Sequence, residues 1–168
     1  MNHKTILVLR HAKSAWGSGV PDLERPLTQR GLGDARAAGQ MLAQYDIDLV
    51  WCSAATRTEQ TWEQARLGGA RAEAVESRQS FYDAWAEDLL AELTTLEESV
   101  GTVLIIGHQP TVGELVIMLA KPSALTDQVG EHYPTAGLAV LTFDGSWPDL
   151  RPGSASLTSF AAGRGAAE

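Results

Sequence analysis

Arg10 and His11 stand side by side near the start of the chain, Arg57 and His108 lie far downstream, and each directly or closely follows a short apolar run. Arginine presents a planar fork that binds two phosphate oxygens at once. A neutral imidazole is a nucleophile toward phosphorus, and covalent transfer to it divides one difficult displacement into two easier ones. Fixed cations crowded together repel one another unless an anion is bound, and the same repulsion biases a histidine toward its neutral form. These residue types suit a phosphate site. His11 takes the nucleophile's role, and His108, after a glycine that lets backbone approach a ligand, donates to oxygens whose charge shifts in the transition state. Arg57 opens a helical pattern, where free N–H groups and the helix dipole add to anion binding.

Far-apart residues meet only if the elements before them end at one place. Residues 6–9, 49–52, 103–106 and 138–143 have the apolar, β-branched content and turn-bounded length of buried strands, and 72–75 is a weaker fifth. Residues 147–151 offer a further strand at an edge. Between them, 28–45, 57–67 and 87–96 have helical spacing, and Pro110 starts another helix whose face is Val112, Leu115, Val116 and Leu119, ending at Lys121-Pro122. Strands alternating with helices predict an α/β fold with three layers, a mainly parallel central sheet flanked by helices. The carboxyl ends of parallel strands share one edge, where ligands bind. Arg10, His11, Ser53 to Arg57 and Gly107-His108 all fall there. Residues 1–160 read as one catalytic domain, and 161–168 as a frayed, low-complexity tail.

Leu9-Arg10-His11-Ala12-Lys13-Ser14 resembles the Arg-His-Gly signature of the histidine phosphatase (phosphoglycerate mutase-like) superfamily. Residues 25–31 (Arg-Pro-Leu-Thr-Gln-Arg-Gly), 53–61 and 106–113 resemble its subsequent blocks in the same order, and the likeness is closest to the small SixA-type phosphohistidine phosphatases. The resemblance covers about residues 5–143. It implies a phosphoglycerate mutase-like fold and a metal-independent, cofactor-free phosphatase. His11 matches the phosphorylated nucleophile, and Arg10, Arg57 and His108 match the phosphate-pocket residues. The implied substrate is phosphohistidine on a signalling or phosphotransfer protein. A small phosphomonoester is the alternative, and a module that binds phosphate without turnover is another. Residues 133–137 resemble a segment near the active site of the small enzymes, with no contact assigned.

Two positions depart from the family pattern. Ala12 replaces the signature glycine, which is a mild change unless the backbone there needs a positive φ. Many members place an acid for the leaving group between the positions of Arg57 and His108. Asp83 is the candidate here, with Glu87 and Asp88 behind it, although acids also favour the first turn of a helix for reasons of the dipole alone. Imidazole leaves phosphorus more readily than an alkoxide does, so a phosphohistidine phosphatase needs a strong acid less. The short interval from Arg57 to His108 leaves no room for a large cap, and an open pocket admits a phosphorylated side chain of another protein.

Composition removes other classes. The 168 residues carry 13 Lys plus Arg against 21 Asp plus Glu, a net charge of −8 that disfavours nucleic acid as a partner. No apolar run is long enough for a membrane helix, and the start of the chain lacks a secretory apolar region, so the expected location is the cytoplasm. One cysteine, Cys52, allows no internal disulfide. It precedes Arg57 by one residue too few for a cysteine-dependent phosphatase loop and reads as a buried hydrophobe. No His-Glu-x-x-His, Walker loop or Gly-x-Ser-x-Gly is present, and His3 and His132 read as structural.

Overall fold

Successive side chains along the central strands alternate between two buried faces, and this alternation sets the architecture. The computed structural model describes residues 3–17 and 19–165. In chain order the elements are β1 (His3–Arg10), α1 (Gln29–Leu42), β2 (Ile47–Ser53), α2 (Thr56–Leu67), β3 (Ala72–Arg78), α3 (Ala86–Leu93), β4 (Thr102–Gly107), α4 (Thr111–Leu119), α5 (Ala124–Glu131), β5 (Gly137–Asp144) and β6 (Ser156–Ala162). They form one six-stranded sheet in the order β3-β2-β4-β1-β5-β6. The β3, β2, β4 and β1 strands run parallel, while β5 and β6 each pair antiparallel with their neighbours.

Ile6, Val8, Leu49, Trp51, Val103 and Ile105 face Leu89, Leu93, Val112, Leu115 and Val129, so α3, α4 and α5 cover one side. Leu7, Leu9, Val50, Cys52, Leu104 and Ile106 face Ala38, Leu42 and Ala65, so α1 and α2 cover the other. A strand buried on both faces reads as an unbroken apolar run, which is why these were visible in sequence. The fold is therefore the three-layer, mainly parallel phosphoglycerate mutase-like architecture expected. No large cap interrupts it, since residues 79–101 hold only a 3₁₀ turn (Gln79–Phe81) and α3. Among the described residues no helix is long and apolar enough to cross a membrane.

Several boundaries differ from the sequence expectation. Residues 147–151 do not form a strand: Trp147–Asp149 is a 3₁₀ turn with Pro148 inside it, and the fully buried Trp147 indole donates to Val100 O at 2.8 Å. Proline cannot donate to a ladder, which disfavours a strand there. The edge strand is β6, whose polar, half-exposed sequence gave little signal. Helix α5, short and capped by Ser123, was also missed. Residues 161–165, read as part of a frayed tail, are held: 161 and 162 complete β6, Gly163 N donates to Ala136 O, and Gly165 N donates to Asp34 Oδ1. Residues 166–168 lie outside the described residues.

Close approach of α1 and α2 sets where Arg57 sits. A Cβ on Gly39 would lie 2.0 Å from Ala65 O, and one on Gly31 would lie 2.1 Å from Lys13 O. These contacts are with backbone, so a methyl group forces the elements apart. Overpacking of this kind costs roughly 1–3 kcal/mol. Gly39→Ala is therefore expected to lower the thermal midpoint by several degrees in calorimetry, and an unchanged midpoint would show that the helix contact is looser than described.

Candidate active site

The register of two central strands brings the distant histidines together. Arg10 on β1 pairs with Gly107 on β4, and His11 N donates to Gly107 O at 3.1 Å. The next residue on each strand is a histidine, and the two rings lie 5.3 Å apart, centroid to centroid. β2 lies on the other side of β4, so Ser53 ends beside His108, and α2 then presents Arg57 from its first turn. A cavity of about 530 Å³ opens at this edge, lined by Arg10, His11, Lys13, Arg25, Arg57 and His108. Its remaining walls are the uncharged Ser14, Trp16, Gln109 and Thr135, so among the described residues lining it none is a carboxylate.

His11 is 7% exposed, and its Nδ1 lies 2.7 Å from Ala12 O. A carbonyl only accepts, so Nδ1 carries the proton and Nε2 keeps its lone pair. Burial drives the His11 pKa down to about 3, with His108, Arg57 and Arg10 adding to the fall and the Ala12 bond opposing it. His108 is pushed down to about 4 by burial and then by Arg57, with Asp22 opposing. Both imidazoles are thus neutral at physiological pH. Ala12 is fully buried and does not occupy the positive-φ region, so replacing the signature glycine is the mild change. Its N–H donates to Thr61 Oγ1 at 3.0 Å, tying the loop that carries His11 to α2.

Ser53, fully buried, places Oγ 2.8 Å from His108 Nε2. Assigning the imidazole proton to Nδ1 makes the Ser53 hydroxyl the donor to Nε2 and leaves an N–H free. His108 Nδ1, Arg10 Nε and Arg57 Nε are buried with no hydrogen-bond partner among the described residues. Each buried, unmatched donor costs about 1–3 kcal/mol. An oxyanion with several acceptors offsets that cost.

Other contacts fix the frame. Residues 133–137, which the sequence left without a role, clamp the end of β1. Tyr133 Oη donates to Val8 O and Arg10 Nη1 donates to Tyr133 O, each at 2.7 Å. Ala136, at φ 57°, donates its N–H to the carbonyls of both Arg10 and His11. Sequence reading also missed Asp22. Its carbonyl accepts from Arg57 Nη1 at 2.7 Å, its Oδ2 from Arg57 Nη2 at 3.1 Å and from the Tyr82 hydroxyl, and its Oδ1 from Arg25 Nε at 2.9 Å. Tyr82 first, then Arg25 and Arg57, hold this carboxyl well below the usual range, so it stays ionised. The signal available was its place three residues before Arg25, just ahead of the block at 25–31. The candidate acid Asp83 is exposed and is not among the cavity-lining residues. Cys52 is buried with its thiol pushed up to about 12, which fits a packing role.

Known proteins resemble this chain in sequence and fold. The family model for the histidine phosphatase superfamily (branch 1) matches residues 6–84. The SixA homologue from Nakamurella multipartitia has 32% identity, a TM-score of 0.85 and 96% of each chain covered. The chain belongs to the histidine phosphatase superfamily. Among superfamily structures, the protein histidine phosphatase SixA solved with tungstate superposes with a TM-score of 0.79 at 25% identity, covering 94% of this chain and 96% of that one. The uncharacterized protein Rv1276c of Mycobacterium tuberculosis is 37% identical over 158 residues, which is 90% of this chain and 98% of that protein.

For a histidine phosphatase with two buried neutral imidazoles, the titration is diagnostic. Both folded pKa values lie below the unfolded 6.5, so the unfolded chain binds more protons, and stability falls as pH drops from about 6.5 toward 4. Proton NMR of the histidine rings is expected to show neither His11 nor His108 titrating between pH 5 and 8. A transition near 6.5 for His11 would contradict a buried, neutral imidazole there.

Proposed function

We propose that this protein removes the phosphoryl group from phosphohistidine side chains of other proteins. The observation that carries this reading is that the described residues lining the cavity are cationic, imidazole or uncharged side chains, with no carboxylic acid among them. The carboxylate bound to the cavity's arginines, Asp22, is held ionised and has no proton to give at neutral pH. General acid catalysis contributes about 10² to 10⁴-fold, which an alkoxide leaving group needs and an imidazole needs far less. Kinship with a protein histidine phosphatase that binds tungstate, an oxyanion of phosphate-like shape, supports the same reading.

In this mechanism the His11 Nε2 lone pair attacks phosphorus in line with the substrate's P–N bond. Solvent first protonates the substrate ring's other nitrogen, so that when the bond breaks its electron pair stays on the departing nitrogen and a neutral imidazole leaves. Arg10, Arg57 and His108 hold the three phosphoryl oxygens throughout. Water then attacks the phosphorylated His11, releasing inorganic phosphate and restoring the neutral ring. Guanidinium and imidazole groups do the electrostatic work, with no step through a metal or cofactor, and the reaction takes place in the cytoplasm. The absence of a cap over the cavity suits a phosphorylated side chain carried on a protein surface.

Phosphate release from a phosphohistidine peptide and from an alkyl phosphate separates the readings. The phosphoramidate is expected to be preferred by at least a hundredfold and to be hydrolysed at the same rate in the presence of a chelator. Arg57→Ala should cost about 10³ to 10⁵-fold, the scale of arginines that stabilise phosphoryl-transfer transition states, whereas Asp83→Asn should leave the phosphoramidate reaction within about twofold, since general acid catalysis of about 10² or more is not asked of it. Preference for the alkyl ester, abolished in Asp83→Asn, would overturn the proposal in favour of a phosphomonoesterase.

A further inference from the structure

Trp16 is 78% exposed, the most exposed of the large apolar side chains among the described residues, and it lines the catalytic cavity. A lone exposed indole needs no explanation by itself, but this one is held in place. The Arg25 guanidinium carbon lies 3.6 Å from the centre of the Trp16 ring. Arg25 is itself buried and fixed, with Nε donating to Asp22 Oδ1 and Nη1 donating to Ser14 Oγ and Ala15 O. Asp22 in turn holds Arg57. A chain of contacts therefore runs from the phosphate clamp through Asp22 and Arg25 to one face of the indole. With that face covered and the residue still largely exposed, the opposite face is open at the cavity's rim.

We propose that the open face of Trp16 is a leaving-group subsite that stacks against the flat imidazole of the substrate. This inference rests on the phosphohistidine reading and deepens it. Once His11 and the arginines hold the phosphoryl group, the leaving group must extend out toward the cavity's rim. A planar ring laid on the indole gains dispersion and removes apolar area from water. An alkylammonium leaving group, as in phospholysine, gains less, because the indole's electron-rich face is already polarised by the Arg25 cation on its other side. The subsite thus discriminates among phosphoramidates by the shape of what departs, and the phosphate-binding residues do not.

The test compares kcat/KM for phosphohistidine and for phospholysine, each as a short peptide, in the wild-type protein, Trp16→Ala and Trp16→Phe. Aromatic stacking energies convert to about three- to tenfold. The phosphohistidine-to-phospholysine ratio is expected to fall by that factor in Trp16→Ala, mainly through KM, and to be largely restored in Trp16→Phe. A role confined to propping Arg25 lowers both substrates together and leaves the ratio unmoved, which would overturn the inference while the phosphohistidine activity of the wild type stands. A wild-type protein that hydrolyses phospholysine or alkyl phosphates but not phosphohistidine would defeat the functional reading and this inference with it.

Discussion

The hydrogen bond from His11 Nδ1 to the carbonyl of Ala12 decides which ring nitrogen keeps its lone pair, and the proposed chemistry depends on that choice. Donating Nδ1 to a fixed acceptor leaves Nε2 as the only lone pair on the ring. Burial and the neighbouring cations keep that lone pair unprotonated. The backbone leading to the Ala12 carbonyl is held by three separate elements. Thr61 on α2 accepts from Ala12 N, Ala136 donates to the carbonyls on either side of the His11 peptide unit, and β4 accepts from His11 N. The left-handed backbone at Ala136 costs about 1–2 kcal/mol, which the hydrogen bonds to Arg10 O and His11 O offset.

A site with this much positive charge must also survive without its anion. Asp22 meets that need by sharing one carboxylate between Arg25 and Arg57 while remaining outside the cavity lining. The same bonds that steady the arginines hold its carboxyl ionised. One carboxylate thus both orders the two guanidinium groups and is kept charged by them.

Much of this was legible in the chain. Continuous apolar runs before Arg10, Ser53 and Gly107 marked strands buried on both faces, and placing the polar residues at their carboxyl ends was enough to bring His11, His108, Arg10 and Arg57 to one edge. What escaped was carried by residues whose signal is not periodic. Asp22 acts through its carbonyl as well as its side chain, Ser53 through a single hydroxyl, and Ala136 through a backbone conformation that its identity does not advertise. β6 is a half-exposed edge strand paired antiparallel to β5, so only one face needs to be apolar and its run reads as loop. Asp83 was proposed on its place in the family's order of motifs, and the structure shows it exposed and not among the residues lining the cavity.

The most direct measurement is the chemical identity of the phosphoenzyme. Mixing the protein with labelled phosphohistidine peptide, quenching in alkali and mapping the modified peptide by mass spectrometry and phosphorus NMR should place the phosphoryl group on Nε2 of His11. A phosphoryl group on Nδ1, on His108 or on any other residue, or turnover with no trapped intermediate in a burst experiment, would contradict a nucleophile defined by its bond to Ala12.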